Sequence, residues 1–552
     1  MEWTTSCLDW EDRIKAGRSL IAIPPLFPQE AADALDQFGE LQMVDAAGSP
    51  LMRDACRPWV MDFVGSVFGA YDAETGRREI TEWLLSISKK NGKSTIAAGI
   101  MLTALIRNWR ESGEFLILAP TIEIANNSFF PARDMVRRNP DLAALMHVQE
   151  HYRTITHRET GATLKVVAAD NDTVGGKKAI GVLVDELWLF GKRPNAEAML
   201  REATGGLASR PEGFTIYLST QSDEPPAGVF AQKLSYARDV RDGKINDKRF
   251  VPVLYEFPKD MLEAEDYRKP EFFYVTNPNL GASVDLEFLT REMSKAVQAG
   301  EHSVRGLLAK HLNVEIGMGL RSDGWSGALF WEANAEESLT LEELIERSEV
   351  LCIGIDGGGL DDLLGLAVMG RDAVTKQWLH WGRGYAQPTV FERRKEIAPR
   401  LMDFMDQGDL ILVEPGQDVV LVGDVIEQCE DSGLLDKIGV DVAGIGAVVD
   451  EIVGRKIEQN RIIAVPQGWR MVNAIKTSER KLAEKALRHG GQPIMAWCVG
   501  NAKPEPRGNA VIITKAVAGT AKIDLLMATF NAVSLMSDNP KPRKRKHQIF
   551  FI

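Results

Sequence analysis

An apolar run, Glu82–Ile87, leads into Ser88-Lys89-Lys90-Asn91-Gly92-Lys93-Ser94 and gives way at once to a helical pattern over Thr95–Arg107. No other stretch restricts the fold of this chain as strongly. A strand, a tight turn and a helix, in that order, form a cradle for phosphate. Gly92 lets the backbone come close, and the helix N-terminus offers unpaired N–H groups and a favourable dipole. Lys93 is read as reaching the β- and γ-phosphates, and Ser94 as a Mg²⁺ ligand. Lys89, Lys90, Asn91 and Thr95 complete the residues expected to line the nucleotide. The usual pattern carries a glycine five residues before Gly92, where this chain has Ile87.

Further apolar runs at Phe115–Ala119, Ala179–Val184 and Phe214–Leu218 alternate with amphipathic stretches such as Ile122–Arg137. Such alternation implies an α/β fold with a parallel sheet and helices on both faces. The run Ala179–Val184 ends in Asp185-Glu186. A carboxylate at a strand's C-terminal end holds Mg²⁺ in P-loop ATPases, and the next one polarises the attacking water. Asp185 takes the first role and Glu186 the second; read alone, the pair would equally cap a helix. The third run ends in Ser219-Thr220-Gln221, polar residues placed to sense a γ-phosphate.

The second half follows another pattern. Val350–Ile355, Leu363–Met369 and Gln377–Trp381 read as strands joined by short turns. A helical stretch, Val390–Met405, and a strand, Ile438–Val442, come next. Three hairpin-connected strands, a helix and a strand are the order of a ribonuclease-H-like fold. Asp356 and Asp441 end apolar strands, and Asp524 opens the final helical stretch, Leu525–Met536. Acids at strand ends and a helix start can converge on one sheet edge, as two-metal phosphodiester cleavage requires. Oxygen ligands without His or Cys favour Mg²⁺ or Mn²⁺ over zinc. Asp361 or, by preference, Asp362 would add a fourth ligand, and Glu414 rivals Asp441.

At 552 residues the chain needs more than one core. The expected division is a P-loop ATPase domain over 1–320, with about 1–50 as a lead-in. A linker over 321–348, a second domain over 349–537 and a basic tail over 538–552 follow. Five scattered cysteines without a CxxC pair fit reduced thiols rather than disulfides or zinc. No apolar run reaches 18 residues, so no membrane span is expected, and the N-terminus lacks the pattern of a secretory leader. The net charge of −13 argues against passive wrapping of nucleic acid. It leaves room for local patches, such as Lys541-Pro542-Arg543-Lys544-Arg545-Lys546, which reads as a DNA- or partner-binding segment or as a solvated tail.

Over roughly residues 50–535 these motifs resemble the large terminase subunits of tailed double-stranded-DNA phages and related prophages. Ser88–Ser94 is similar to that family's phosphate loop, which often lacks the first glycine and carries a basic residue. Val184-Asp185-Glu186 matches its Mg²⁺/base pair, and Ser219-Thr220-Gln221 its coupling motif. Ser209-Arg210-Pro211 resembles an arginine segment, which makes Arg210 a candidate charge stabiliser. Asp356 with Asp362-Leu363, and Val440-Asp441 with Gly444, resemble two nuclease motifs. The stretch His489–Trp497, then Asn501, Lys515 and Lys522-Ile523-Asp524, is the most specific match.

The resemblance implies an ASCE-type P-loop ATPase joined to a ribonuclease-H-like nuclease. It implies ATP-driven movement of double-stranded DNA into a procapsid, and endonucleolytic cutting of concatemers with Asp356, Asp441 and Asp524 as catalytic acids. ATP with Mg²⁺ would serve the first site, and two Mg²⁺ or Mn²⁺ ions the second. A small terminase subunit and a portal protein would be partners, with a homo-oligomeric ring in the infected host's cytoplasm, outside the mature virion. The family usually has a Gln beside the Trp near the first strand, whereas Trp59 is followed by Val60. Adenine recognition is therefore unassigned, with Trp59 as a packing or stacking residue. Gly357-Gly358-Gly359 makes the first nuclease turn unusually rich in glycine. The rival readings are a repair or defence helicase–nuclease and a DNA-binding scaffold with decayed sites.

Overall fold

The computed structural model describes residues 3–168, 179–193, 195–316, 325–359, 362–395, 397–441, 446–507, 510–515 and 522–545. Contacts divide the chain into two units, 1–316 and 317–552.

In the first unit the strands are β1 (Glu82–Ser86), β2 (Glu114–Ala119), β3 (Met146–Gln149), β4 (Thr154–His157), β5 (Thr163–Ala168), β6 (Ala179–Val184), β7 (Phe214–Ser219) and β8 (Phe250–Leu254). They form one sheet in the order β8-β1-β7-β6-β2-β5-β4-β3. From β8 to β5 every pairing is parallel, and β4 and β3 add an antiparallel margin. Every residue of β6 and β7 is buried, which is why these strands read as unbroken apolar runs.

Helix α1 (Pro28–Gly39) belongs to the lead-in, and α2 (Lys93–Ile106) follows β1. The lead-in is part of this unit: Glu30 bonds Arg107 at 2.6 Å, and Asp45 accepts from the Thr95 hydroxyl at 2.8 Å. Helix α3 (Ile122–Arg138) begins at Thr121, whose hydroxyl accepts from the Ile124 N–H. Helices α4 (Leu286–Ala299) and α5 (Glu301–His311) close the unit.

The second unit holds β9 (Ser348–Gly359), β10 (Asp362–Asp372), β11 (Trp378–Ala386), β12 (Leu410–Leu412), β13 (Leu435–Val440), β14 (Ile462–Ala464) and β15 (Leu487–His489). Its sheet runs β12-β11-β10-β9-β13-β14, with β15 also on β11. Strands β9, β10 and β11 are antiparallel neighbours, and β13 lies parallel beside β9. Alternate residues of β9 feed two cores. Val350 and Cys352 face one, while Leu351, Ile353 and Ile355 face the other. Helices α9 (Pro493–Asn501) and α10 (Asp524–Ser537) cover the first face. A Cβ on Gly354 would lie 1.9 Å from the Ala528 carbonyl, so glycine is what lets the helix backbone rest on the sheet.

Several expected boundaries change. Residues 325–348, read from the sequence as linker, fold into the second unit. Trp325 N–H bonds the Ala502 carbonyl at 3.0 Å, and the Trp331 ring stacks on His489 at 3.9 Å. Helix α6 (Leu341–Arg347) begins at Thr340, which caps the Glu343 N–H. The stretch Val390–Met405 is two helices, α7 (Pro388–Arg393) and α8 (Ala398–Asp406), because Pro399 is accommodated only in a first turn. Strand β13 ends at Val440, and the expected extension to Val442 falls partly outside the described residues, as does Gly444. Part of the basic tail is engaged by the second unit: Arg543 pairs with Asp436 at 2.7 Å, and Arg545 bonds the Glu346 carbonyl. Among the described residues no helix is long and apolar enough to cross a membrane.

Candidate nucleotide site and acidic sheet edge

Strand β1 delivers the phosphate loop, and parallel pairing sets what meets it. Ser86 is level with Ser219 on β7, and Val184 of β6 is level with Tyr217. The loop after β1, Ser219-Thr220-Gln221 after β7 and Asp185-Glu186 after β6 therefore leave the sheet at one edge. Strand β7 stands between the strand of the phosphate loop and that of the carboxylates. This is the edge at which open parallel sheets bind ligands.

Gly92 has φ +78°, a left-handed conformation natural to glycine. Lys90 adopts φ +72° as well. Side chains from far along the chain fix this loop in place of the missing glycine. Asn91 donates to the Asn277 side chain at 2.9 Å and to the Ser88 carbonyl at 3.1 Å. Asn279 bonds the Asn91 side chain and carbonyl at 3.1 and 3.0 Å. Ser283 donates to the Lys90 carbonyl at 2.6 Å. Trp59 is buried; its indole N–H bonds Asn279 at 2.9 Å and its ring meets Tyr255 edge-on. It supports the loop from behind.

Lys93 is buried, 3.4 Å from the Ile87 carbonyl and 4.0 Å from Glu186. Burial lowers the pKa of its ammonium, while Glu186 and Asp185 oppose that shift. Asp185 is 1% exposed, and burial, with Glu186 beside it, raises its carboxyl to about 6. Ser128 donates to its Oδ2 at 2.8 Å, and its Oδ1 has no hydrogen-bond partner among the described residues. A buried carboxylate oxygen of this kind, together with the hydroxyl of Ser94, the second residue of α2, supplies the donor types Mg²⁺ prefers. Glu186 takes φ +54° and accepts from the Trp188 indole N–H. Thr95, expected at the nucleotide, gives its hydroxyl to Asp45 instead. Lys89 is half-buried and Lys90 exposed at the mouth of the loop. Arg210 precedes β7, so within this chain it leaves at the opposite edge from the phosphate loop.

In the second unit, Ile355 of β9 is level with Val440 of β13, so Asp356 and Asp441 leave neighbouring parallel strands side by side. Ile355 and Val440 point into the core opposite α10, so the next residues, Asp356 and Asp441, point toward α10. Asp524 is the first residue of α10, and its Oδ1 lies 3.5 Å from where a Gly357 Cβ would stand. Glycine at 357 is required twice over: φ is +81°, and a Cβ would fall 2.1 Å from the Leu363 carbonyl. Asn531 of α10 bonds the Ile355 carbonyl at 2.8 Å, and Asn501 bonds the Lys522 carbonyl at 3.0 Å. The second bond fixes the entry of α10, and the first ties the middle of the helix to β9.

Asp356 and Asp441 thus leave the sheet side by side, and Asp524 opens the helix that packs over that face. Among the described residues, however, no three His, Cys, Asp or Glu side chains close on a ready-made metal cage. Asp362 begins β10 and pairs with buried Lys522, so any ligand role requires it to exchange that lysine. Glu414 follows β12, three strands from β9, roughly 14 Å at the usual strand spacing. The register favours Asp441. His489 and Gln492 of the most specific motif pack rather than face the edge: His489 bonds the Trp331 carbonyl at 2.7 Å, and Gln492 the Gly382 carbonyl at 2.9 Å. Lys515 falls on the short strand Ala510–Lys515, and Asp361 lies outside the described residues.

Asn277, Asn279, Trp188 and Lys310 belong to the first site without having been expected there. Asn277-Pro278-Asn279 reads as a turn, and no spacing rule connects it to a loop 186 residues away.

The fold and this edge define a P-loop nucleotide hydrolase with a strand inserted beside the phosphate-loop strand. Residues 58–239 match the family model described as the terminase large subunit, ATPase domain. The chain is 25% identical over 498 residues to the large terminase subunit of Enterobacteria phage HK97, covering 87% of this chain and 88% of that protein. It is 22% identical over 308 residues to protein YmfN of Escherichia coli K12, covering 53% and 65%. Among solved structures, the HK97 large terminase aligns over 92% of this chain and 99% of its own, at 21% identity and TM-score 0.47. The large terminase of a thermophilic bacteriophage, in complex with ADP, aligns over 83% and 94%, at 12% identity and TM-score 0.29. Over most of its length the chain is thus similar to a phage large terminase subunit, and the match to the ATPase-domain model falls within its first unit.

Proposed function

We propose that this chain is the motor and nuclease of a phage DNA-packaging machine. The observation that carries this reading is the double gathering of motifs. Phosphate loop, carboxylate pair and polar coupling segment share one edge of the first sheet; two acids leave neighbouring strands of the second, beneath the helix that Asp524 opens.

At the first edge, the loop N–H groups and Lys93 bind the β- and γ-phosphates of ATP. Lys93 leaves the Ile87 carbonyl and Glu186 to do so. Glu186, released from the lysine, accepts the proton of the attacking water. Ser94 and Asp185 are the residues that would hold Mg²⁺, which neutralises charge on the phosphate oxygens. Repeated hydrolysis drives double-stranded DNA into the procapsid.

At the second edge, Asp356, Asp441 and Asp524 would hold two Mg²⁺ or Mn²⁺ ions, which supply an activated water and stabilise the leaving oxygen. The all-oxygen donor set and the glycine cradle at 357 suit such ions. This site cuts concatemeric DNA to begin and end packaging. A small terminase subunit would choose the DNA, and a portal protein would seat a ring of these chains inside the infected host.

The test separates the two edges. Lys93→Ala is expected to abolish phosphate release and spare plasmid cleavage with Mn²⁺; Asp356→Ala is expected to do the reverse. If either change removed both activities from a folded protein, independent sites would be ruled out. Strand displacement on a forked duplex would instead favour a helicase–nuclease. Neither phosphate release nor cleavage in the unaltered chain would favour a scaffold.

A further inference from the structure

Lys310, the penultimate residue of α5, touches three parts of the nucleotide site. Its carbonyl accepts from the Lys89 N–H of the phosphate loop at 2.7 Å. Its ammonium donates to the Gln221 carbonyl at 2.8 Å, in the polar segment after β7. The same ammonium stands over the Trp188 ring, 2.9 Å from its centroid. Trp188 in turn gives its indole N–H to the Glu186 carboxylate. Burial draws the ammonium down to about 7, against the pull of Asp223 and Glu186 and with the repulsion of Lys89 and Lys192. A cation costs free energy in such a place unless its contacts compensate.

We propose that Lys310 is a positioning residue for ATP hydrolysis, fixing the Trp188 indole and through it the Glu186 carboxylate relative to the phosphate loop. A glutamate side chain turns about three bonds, and the indole N–H removes part of that freedom. The indole itself would swing without the ammonium on its face. Because that ammonium is anchored on Gln221, movement of the coupling segment reaches the base through the Lys310 side chain, and the loop through the same residue's carbonyl. The inference rests on Glu186 being the base.

The experiment is steady-state ATP hydrolysis by the full chain, with ADP affinity and thermal melting as checks of folding. Lys310→Met is expected to lower kcat about tenfold and to shift KM by less than about twofold, the pattern of a lost transition-state interaction. Lys310→Arg, which keeps the cation, should recover most of the loss. Trp188→Phe should lower kcat by a similar factor, and the double variant Trp188→Phe/Lys310→Met should be no slower than either single one. An unchanged kcat in Lys310→Met, a raised KM at constant kcat, or losses that multiply in the double variant would each overturn the proposal. Should Lys310→Met not fold, Lys310→Gln takes its place in the same cycle. Glu186→Gln separates the two readings: unaltered turnover there sinks the base assignment, whereas a dead Glu186→Gln beside a fully active Lys310→Met sinks only the role of Lys310.

Discussion

Lys93 is held by two groups that a nucleotide must displace, a backbone carbonyl and the carboxylate read as the base. The loop around it is held from outside. Asn279 joins the Asn91 backbone to the Trp59 indole, and all three are buried. Asn279→Ala leaves a buried carbonyl and a buried N–H without partners, at a cost of about 2 kcal/mol or more. We expect a lower melting temperature for the first unit. We also expect KM for ATP to rise about tenfold, by loss of a preformed loop, with a smaller change in kcat. Wild-type KM in this variant would show that the loop keeps its shape unaided. The phosphate loop itself was legible in sequence, because a strand, a glycine and a helix start are local chemistry. Its Asn277 and Asn279 supports were not, since they come from a turn far along the chain. Thr95, adjacent in sequence, proved to serve Asp45.

At the scale of elements, α10 decides whether Asp524 reaches the acidic edge. The helix rests on β9 because Gly354 offers no side chain. Gly354→Ala would set a methyl 1.9 Å from the Ala528 carbonyl, and backbone cannot yield as a side-chain tip does. The helix must lift, at a cost of about 1–3 kcal/mol or more in the second unit. Plasmid cleavage is expected to fall at least about tenfold while ATP hydrolysis stays at its ordinary rate, since shifted ligands forfeit positioning. Cleavage that survived this change would count against Asp524 as a ligand. The order of three antiparallel strands and a later parallel one could be read from apolar runs. The reach of the hairpin through Gly359 and Asp362 could not, since glycines and acids read as a turn. Nor could the break at Pro399 be seen within a stretch of helical periodicity.

At the scale of the whole molecule, two units carry separate cores and separate edges, so conditions can strain one alone. His489, 1% exposed in the second unit, is pushed down to about 4 by burial, with the Trp331 carbonyl opposing and Arg488 assisting the shift. In the folded state it stays neutral, while the unfolded chain binds a proton near pH 6.5. The stability it contributes is therefore complete at pH 7 and lost as pH falls from about 6.5 to about 4, a change of about 3 kcal/mol. Calorimetric melting at pH 7 and pH 5 should show the second unit's transition moving down on acidification. His489→Gln should roughly halve that dependence between pH 7 and pH 5, since buried His380, lowered to about 3, is strained over the same range. A transition indifferent to pH in the unaltered protein would contradict a buried neutral imidazole. The division of the chain was also only partly readable: residues 325–348 are mixed and acidic, as linkers are, yet Trp325 and Trp331 bury themselves in the second core.

The two α/β patterns, the phosphate cradle and the candidate acids are already written in the order of residues, because strand burial, loop closure and oxygen-donor chemistry act over a few neighbouring positions. Only the packed chain sets Asp356 beside Asp441, places β7 between the loop and its carboxylates, and brings Asn277, Asn279 and Lys310 against the nucleotide edge. Those outcomes depend on strand order, register and the height of a helix above a sheet. Such quantities are set by packing between distant segments, and no local rule of spacing encodes them.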